Sequence, residues 1–170
     1  MRECGMLLPV ASLPSRYGIG AFSKEAYDFI DTLKAAGQSC WQILPLGPTG
    51  FGDSPYQSFS AFAGNPYFID LERLTEEGLL TSEECLDTDF GSDERDIDYK
   101  KIYDGRFPLL RKAYERWKDG RTAELVHELA SRKLGDETRE YCFYMAVKNH
   151  FDSCSWNLWD EGIRLRKPEA

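Results

Sequence analysis

The sequence predicts an α/β fold that opens on a parallel β-α-β unit and continues as a mostly helical subdomain. Two short apolar runs, each closed by a proline, flank an amphipathic helical stretch near the amino terminus, in the order of a parallel crossover. The chain then changes style. Six of its eight prolines and most of its glycines fall in the first 80 residues, and the later residues read as helices joined by polar loops. Residues 1–80 are therefore expected to hold the strands, their helix and the loops that would face a ligand, and residues 81–170 the helical subdomain.

Each element has a local cause. Gly5-Met6-Leu7-Leu8-Pro9-Val10 is a continuous apolar run, the pattern of a buried strand rather than a half-solvated one. A loop from Ser12 to Phe22 comes next, punctuated by Pro14, Gly18 and Gly20. Ser23 is placed to cap a helix whose first turn carries Glu25, and Ala26, Phe29, Ile30, Leu33 and Ala36 recur on one helical face before Gly37 stops it. Cys40-Trp41-Gln42-Ile43-Leu44 is the second apolar run, ended by Pro45. From Gly47 to Pro66 the chain reads as loop, and a loop of that length inside a domain is uncommon unless it is functional.

Tyr67-Phe68-Ile69-Asp70 is expected to pair briefly as a strand. Thr81 with Glu84 forms a capping-box signature. Asp98 is placed to cap a segment containing Tyr99, Ile102 and Tyr103, with Pro108 interrupting or restarting it ahead of Leu109, Leu110, Ala113, Tyr114 and Trp117. Thr122 would cap a further helix with Leu125, Val126 and Leu129 inward, and Glu137 to Asn149 a last one with Tyr141, Tyr144, Met145 and Lys148 on one stripe. The acidic stretch from Glu83 to Asp98 reads as a solvated loop.

Composition excludes several classes of function. With 170 residues, 42% of them apolar and 14% aromatic, the chain has the material for a core and is a poor candidate for disorder. No apolar stretch approaches the roughly 20 residues of a membrane helix. Lys and Arg number 21 against 29 Asp and Glu, so the net charge of −8 would repel nucleic acid and anionic lipid. No secretory or lipidation signal stands at either end, which makes the cytoplasm the expected location. The five cysteines, Cys4, Cys40, Cys85, Cys142 and Cys154, form no C-x-x-C pair and are expected reduced, with no metal or cofactor. His127 and His150 stand near no nucleophile motif and read as structural.

In parallel α/β architectures ligands bind beyond the carboxyl ends of the strands, here the loops after Leu8 and Leu44. Those loops carry the densest polar and aromatic groups of the chain. Saccharides present hydroxyl edges and apolar C–H faces, so flat rings beside short hydrogen-bonding side chains on a stiff backbone suit them. Asp53-Ser54-Pro55-Tyr56-Gln57-Ser58 offers that combination; the alternative is that Tyr56, Phe59 and Phe62 pack under the loop as a satellite core.

Ser12-Leu13-Pro14, Gly18-Ile19-Gly20, Trp41-Gln42-Ile43-Leu44-Pro45-Leu46-Gly47-Pro48, Asp53-Ser54-Pro55-Tyr56-Gln57-Ser58 and Ala63-Gly64-Asn65-Pro66 stand in one order. Together they resemble the amino-terminal part of the amylomaltase family, the 4-alpha-glucanotransferases of glycoside hydrolase family 77. The resemblance extends more weakly through Tyr141-Cys142-Phe143-Tyr144-Met145-Ala146 and Ser155-Trp156-Asn157-Leu158-Trp159. It implies a (β/α)8 TIM barrel, of which this chain would supply only the first β-α-β unit and a helical insertion. It also implies transfer of α-1,4-glucan segments between maltooligosaccharides by a retaining double displacement.

Family members are much longer, and their nucleophilic Asp, general-acid Glu and stabilising Asp lie beyond the stretch represented here, so the resemblance assigns no catalytic residue to this chain. Substrate contact does carry over. Ser54 and Tyr56 match positions lining the cleavage subsites, and Phe51 falls where some members place a tyrosine that holds glucan at a second site; a phenyl ring keeps the stacking face without the hydroxyl. Pro9-Val10-Ala11 departs from the His-containing first loop of many relatives. The expected partners are a maltooligosaccharide or α-1,4-glucan and the missing remainder of the barrel. As a fragment, the chain is expected to be catalytically silent, with apolar strands lacking neighbours on one side. A non-catalytic glucan-binding module and an inactive remnant are the alternatives.

Overall fold

In the computed structural model, β1 (Gly5–Leu7) and β2 (Cys40–Gln42) pair in parallel, with Gly5 opposite Cys40, Met6 opposite Trp41 and Leu7 opposite Gln42. The structure describes residues 3–50, 52–93, 95–131 and 135–168. The first strand can approach the second so closely because Gly5 has no side chain: a Cβ there would stand 2.5 Å from the carbonyl oxygen of Cys40. Between the strands runs α1 (Lys24–Ala35), so the expected parallel crossover is present.

Ser23 occupies the N-cap of α1, although its hydroxyl bonds the Glu25 carboxylate rather than a backbone N–H. At the other end Gly37 adopts φ +73°, its N–H reaching Lys34 O at 3.0 Å while Gln38 N–H reaches Leu33 O at 2.9 Å. That paired closure stops the helix in a left-handed residue that only glycine enters without strain. Ala26 joins Val10 and Leu13 in a small core, with Leu8, Phe29, Trp41 and Ile43 packed against it. The Trp41 indole donates to Leu8 O at 2.8 Å and meets the Phe29 ring edge-on, centroids 5.1 Å apart.

The apolar runs do not form the buried strands their composition suggests. Met6 and Leu7 are exposed, as is Ile30 on α1. Among the described residues the sheet has two strands, and a strand pair under one helix has too few neighbours to cover both faces.

The larger core lies elsewhere. α2 (Leu71–Glu76), α3 (Ser82–Leu86) and α4 (Tyr99–Lys118) gather Tyr17, Ile19, Tyr67, Leu71, Leu80, Cys85, Phe90, Ile102, Leu109 and Ala113 into one buried cluster. It draws on residues from both sides of position 80, and the chain forms two compact units, Met1–Thr122 and Ala123–Ala170.

Three local expectations are corrected. The brief strand at Tyr67 to Asp70 is instead a 3₁₀ turn over Pro66–Phe68, because Pro66 sits at its first position and Asn65 Oδ1 accepts from Tyr67 N–H at 3.0 Å. Pro108 neither interrupts nor restarts a helix, and α4 runs through it. Its cost of about 3 kcal/mol is offset by packing on both sides, since Ile102, Leu109 and Ala113 bury one stripe and each large apolar side chain contributes about 1.5–3 kcal/mol. The acidic stretch is not simply a solvated loop. Thr81 and Glu84 close their capping box at the start of α3, and Glu84 also binds Arg116 and Lys112 of α4 at 2.7 and 2.9 Å. These cations hold its carboxyl well below the usual carboxylate range.

One buried side chain breaks the apolar character of this core, and the sequence pattern does not announce it. Arg106 is fully buried; its Nη1 donates to Ile69 O at 2.8 Å, while Nε and Nη2 have no partner among the described residues. Desolvation lowers its pKa to about 10.

The second unit holds α5 (Ala123–Ser131), α6 (Asp136–His150), a 3₁₀ turn over Trp156–Leu158 and α7 (Glu161–Arg164). Trp159 is its buried anchor, 5.3 Å from Tyr144 and stacked on Phe151 at 5.9 Å. Tyr141, Tyr144, Met145 and Lys148 form the expected half-buried stripe. On α5, Leu125 is exposed rather than inward, Val126 is half-buried, and the side chain of Leu129 lies outside the described residues. His127 and His150 are both at the surface, so neither serves as a core residue. All five cysteines are free, and only Cys85 is buried. No helix among the described residues is long and apolar enough to cross a membrane.

Candidate functional site

The loops leaving the carboxyl ends of β1 and β2 face a common cavity of about 160 Å³. The first loop contributes Pro9 to Ser12, the second Leu44 to Leu46 with Thr49, Asp53 and Pro55, and Ile97 and Tyr99 close the wall. Buried Val10 and Ile19 give it an apolar floor, while Ser12, Thr49, Asp53, Asn65 and the Tyr99 hydroxyl supply polar groups. An apolar cleft with a few convergent polar groups is the usual form of a small-ligand site.

The second loop is held by its own short side chains. Asn65 N–H donates to Leu46 O at 2.8 Å, drawing the end of the loop back to its start. The Ser58 hydroxyl donates to Ser60 O at 2.7 Å, and Ser60 Oγ accepts from Ala63 N–H at 3.1 Å. Such serine turns fix a backbone that has no ladder to join. At its tip Asp53 takes a left-handed φ of 54°, and Gln57 N–H reaches Ser54 O at 3.1 Å. Ser54 Oγ accepts from Tyr56 N–H at 3.3 Å, leaving the hydroxyl proton free to donate outward.

This backbone presents the aromatic side chains to solvent. Tyr56 is 71% exposed, and Phe59 and Phe62 are also exposed, so the rings do not form a satellite core. Ser54 is half-buried beside Tyr56, so the structure brings these two expected contact residues together; Phe51 lies outside the described residues.

Sequence reasoning set Asp53 in the saccharide-suited segment without giving it a contact of its own, and read Tyr99 only as a helical residue; both line the cavity. Tyr67 is buried, and its hydroxyl is pushed up to about 12 by desolvation and then by the Asp53 charge; Tyr99 is raised by the same two causes. The Asp53 carboxylate and the Tyr99 phenol in the cavity lining are groups of the kind that hydrogen-bond polyol hydroxyls. Asp53 is the only carboxylate among the described residues lining the cavity, whereas glycosidic bond exchange with retention needs two acids flanking the bond. No group of His, Cys, Asp or Glu able to hold a metal occurs among the described residues.

Comparison with known proteins agrees with this geometry. Residues 8–170 match the glycoside hydrolase family 77 profile, described as 4-alpha-glucanotransferase. The 4-alpha-glucanotransferase of Streptococcus pneumoniae serotype 4 is 47% identical over 174 residues, covering 99% of this chain and 34% of the relative. That of Thermus thermophilus is 42% identical over 171 residues, covering 99% of this chain and 33% of the relative. Among solved structures, the amylomaltase from Streptococcus agalactiae in complex with acarbose superimposes with a TM-score of 0.87 at 38% identity, over 99% of this chain and 34% of that one. The chain spans about a third of the length of the curated relatives it matches. Its two parallel strands and helices are thus part of the amylomaltase fold, within the TIM-barrel class. The chain belongs to the 4-alpha-glucanotransferase family, glycoside hydrolase family 77, of which it represents an amino-terminal portion.

Proposed function

We propose that this chain supplies a substrate-gripping wall of an α-1,4-glucan transferase site, with Ser54 and Tyr56 contacting the sugar. The observation that carries the reading is the Tyr56 ring, 71% exposed on a braced loop at the carboxyl end of β2, with the Ser54 hydroxyl beside it. A glucosyl residue lays its C–H face on such a ring while its hydroxyls meet Ser54. Phe51, outside the described residues, would offer a second stacking face. In this reading residues 1–80 are the barrel's opening segment and residues 81–170 its helical insertion.

The reaction served is a retaining double displacement, in which carboxylates about 5–5.5 Å apart form and resolve a covalent glycosyl-enzyme. Transfer is favoured over hydrolysis when an acceptor sugar reaches that intermediate before water, and a wall of aromatic rings excludes water while holding the acceptor. This chain's residues bind and orient; the acids that break the bond belong to the remainder of the family's length. Alone, the chain binds glucan and transfers none.

Titration of the chain with maltotriose tests the binding, through the ring signals of Tyr56. They are expected to shift, and the backbone amide signals of the loop to stay unshifted in a Ser54→Ala, Tyr56→Ala background. In a complete family enzyme, replacing the tyrosine matched to Tyr56 by alanine should lower kcat/KM about tenfold, equivalent to about 1.4 kcal/mol. Unchanged kinetics there, or glucan transfer by the 170-residue chain alone, overturns the reading.

A further inference from the structure

We infer that Arg106 is a positioning residue for the loop that carries Ser54 and Tyr56: its buried guanidinium holds the returning end of that loop through the carbonyl of Ile69. The loop passes Leu46 on its way out and comes back at Asn65, whose N–H donates to Leu46 O at 2.8 Å. From Asn65 onward the return is braced at every step. Asn65 Oδ1 accepts from Tyr67 N–H at 3.0 Å, Phe68 N–H reaches Asn65 O at 3.1 Å, and Ile69 N–H reaches Pro66 O at 3.2 Å. Arg106 Nη1 then donates to Ile69 O at 2.8 Å, tying this piece to α4 across 37 residues of sequence. Asn65 and Phe68 line the cavity, so the hold on Ile69 extends to the cavity wall.

Stability alone does not account for this side chain. Arg106 is 0% exposed, and two of its three nitrogens, Nε and Nη2, have no partner among the described residues. The Phe90 ring, centred 6.0 Å from Cζ, offers a partial substitute for water. A pKa lowered to about 10 by desolvation still leaves the guanidinium charged at neutral pH. An unpaired buried charge opposes folding, and an apolar side chain of similar volume commonly serves a core as well or better. The helix is also shaped to admit it. A Cβ on Gly105 would stand 2.6 Å from Thr88 Cγ2 and 3.0 Å from Phe90 Cε1, so glycine lets α4 close on that segment next to Arg106. Glycine inside a helix weakens it, which makes two departures from local stability at adjacent positions. Such departures are expected where function sets the requirement, and here they converge on the carbonyl that holds the loop.

The consequence for sugar binding rests on the proposed function, whereas the consequence for loop geometry does not. In the 170-residue chain, Arg106→Met keeps most of the apolar stem and removes the donor to Ile69 O. Without sugar, the backbone amide signals of Ser54, Tyr56 and Gln57 are expected to shift. Affinity for maltotriose should fall about tenfold, while the urea midpoint stays near that of the parent, because losing an unpaired charge offsets losing one hydrogen bond. Arg106→Lys returns a donor and should bring both the signals and the affinity back toward the parent. Cys85→Ala, at another buried position of the same core, should lower the midpoint and leave the loop signals in place.

Loop signals that stay still in Arg106→Met overturn the inference. A lowered midpoint with unchanged affinity overturns it too, as does the same loop shift in Cys85→Ala, since both describe packing alone. A lysine variant no better than the methionine one removes the bond to Ile69 O as the cause. If Arg106→Met does not fold, amide exchange in the parent decides: Phe68 and Ile69 are expected to exchange in step with α4, and exchange in step with Gln57 overturns the hold. Should maltotriose move nothing in the parent while Arg106→Met still shifts the loop, the proposed function falls and the positioning role stands.

Discussion

Within residues 3–122 two regions are built to different standards of closure. The helical cluster around Leu71 and Ile102 is sealed, with both side chains at 0% exposure, whereas the strand pair and the loop leaving β2 hold apolar groups in water. Leu7 in β1 is 54% exposed, and Tyr56 more so. The contrast separates what holds the chain from what it exposes: the helices bury the larger core, and the open region leaves rings and hydroxyls at the surface. Loops held by a rigid scaffold are where binding groups are generally found.

The largest test of that contrast compares two leucines. Leu71→Ala should destabilise by about 2–5 kcal/mol, because it removes packed methyl groups and leaves a void. Leu7→Ala should change stability by no more than about 0.5 kcal/mol, as expected of an exposed position. Urea unfolding of both variants reads the difference. Similar losses would mean that the strands are covered in solution.

A smaller effect is expected at a tight contact within the strand pair of the open region. Gly5→Ala would set a methyl 2.5 Å from Cys40 O and 2.8 Å from Cys40 Cβ, and overpacking of this kind costs about 1–3 kcal/mol. Its signature should be local. Amide exchange should quicken at Leu8 and Ser39, whose N–H groups bond across the strand pair, while the amides of α4 keep their protection. Uniform loss of protection would show that the two regions unfold as one.

Acid should act on the sealed region first. Glu84 is held in its charged form by Arg116 and Lys112, so its pKa lies lower in the folded chain than in the unfolded one. A depressed carboxyl stabilises the fold fully above the unfolded value of about 4.3 and loses that contribution progressively as pH falls from there through the lower folded value. Stability measured from pH 7 to pH 3 should therefore decline, and Glu84→Gln should flatten part of that decline while lowering stability at pH 7. An unchanged pH profile would remove the Glu84 cluster as a determinant.

The sequence made the local devices readable where one residue type has one physical use. Ser23 and Gly37 bound α1, Thr81 with Glu84 caps α3, and the order of apolar runs foretold the parallel pair. It failed where distant packing decides. Nothing near Pro108 announces that buried side chains on both sides will carry a helix through it, and no periodicity marks Arg106 as a core residue. The strand expected at Tyr67 failed on composition, because aromatic and β-branched residues outweighed the Asn65-Pro66 start signal that the backbone obeys. For the site, the family resemblance proposes Ser54 and Tyr56, which the fold sets side by side on the loop after β2, whereas the place of Tyr99 in the cavity wall with Asp53 depends on packing far apart in the chain.

The smallest stability effect expected is also the most informative about function. Tyr56→Ala should leave unfolding within about 0.5 kcal/mol of the parent, since the ring is 71% exposed. Its backbone N–H to Ser54 Oγ is retained in alanine, so the turn survives the substitution. Differential scanning calorimetry with and without maltotriose separates the two consequences. Ligand-induced stabilisation follows mass action on the folded state, and should be present in the parent and absent in the variant, at equal unliganded transition temperatures. If Tyr56→Ala instead lowers the unliganded transition by several degrees, the ring contributes to packing, and the open region is less open than its exposure indicates.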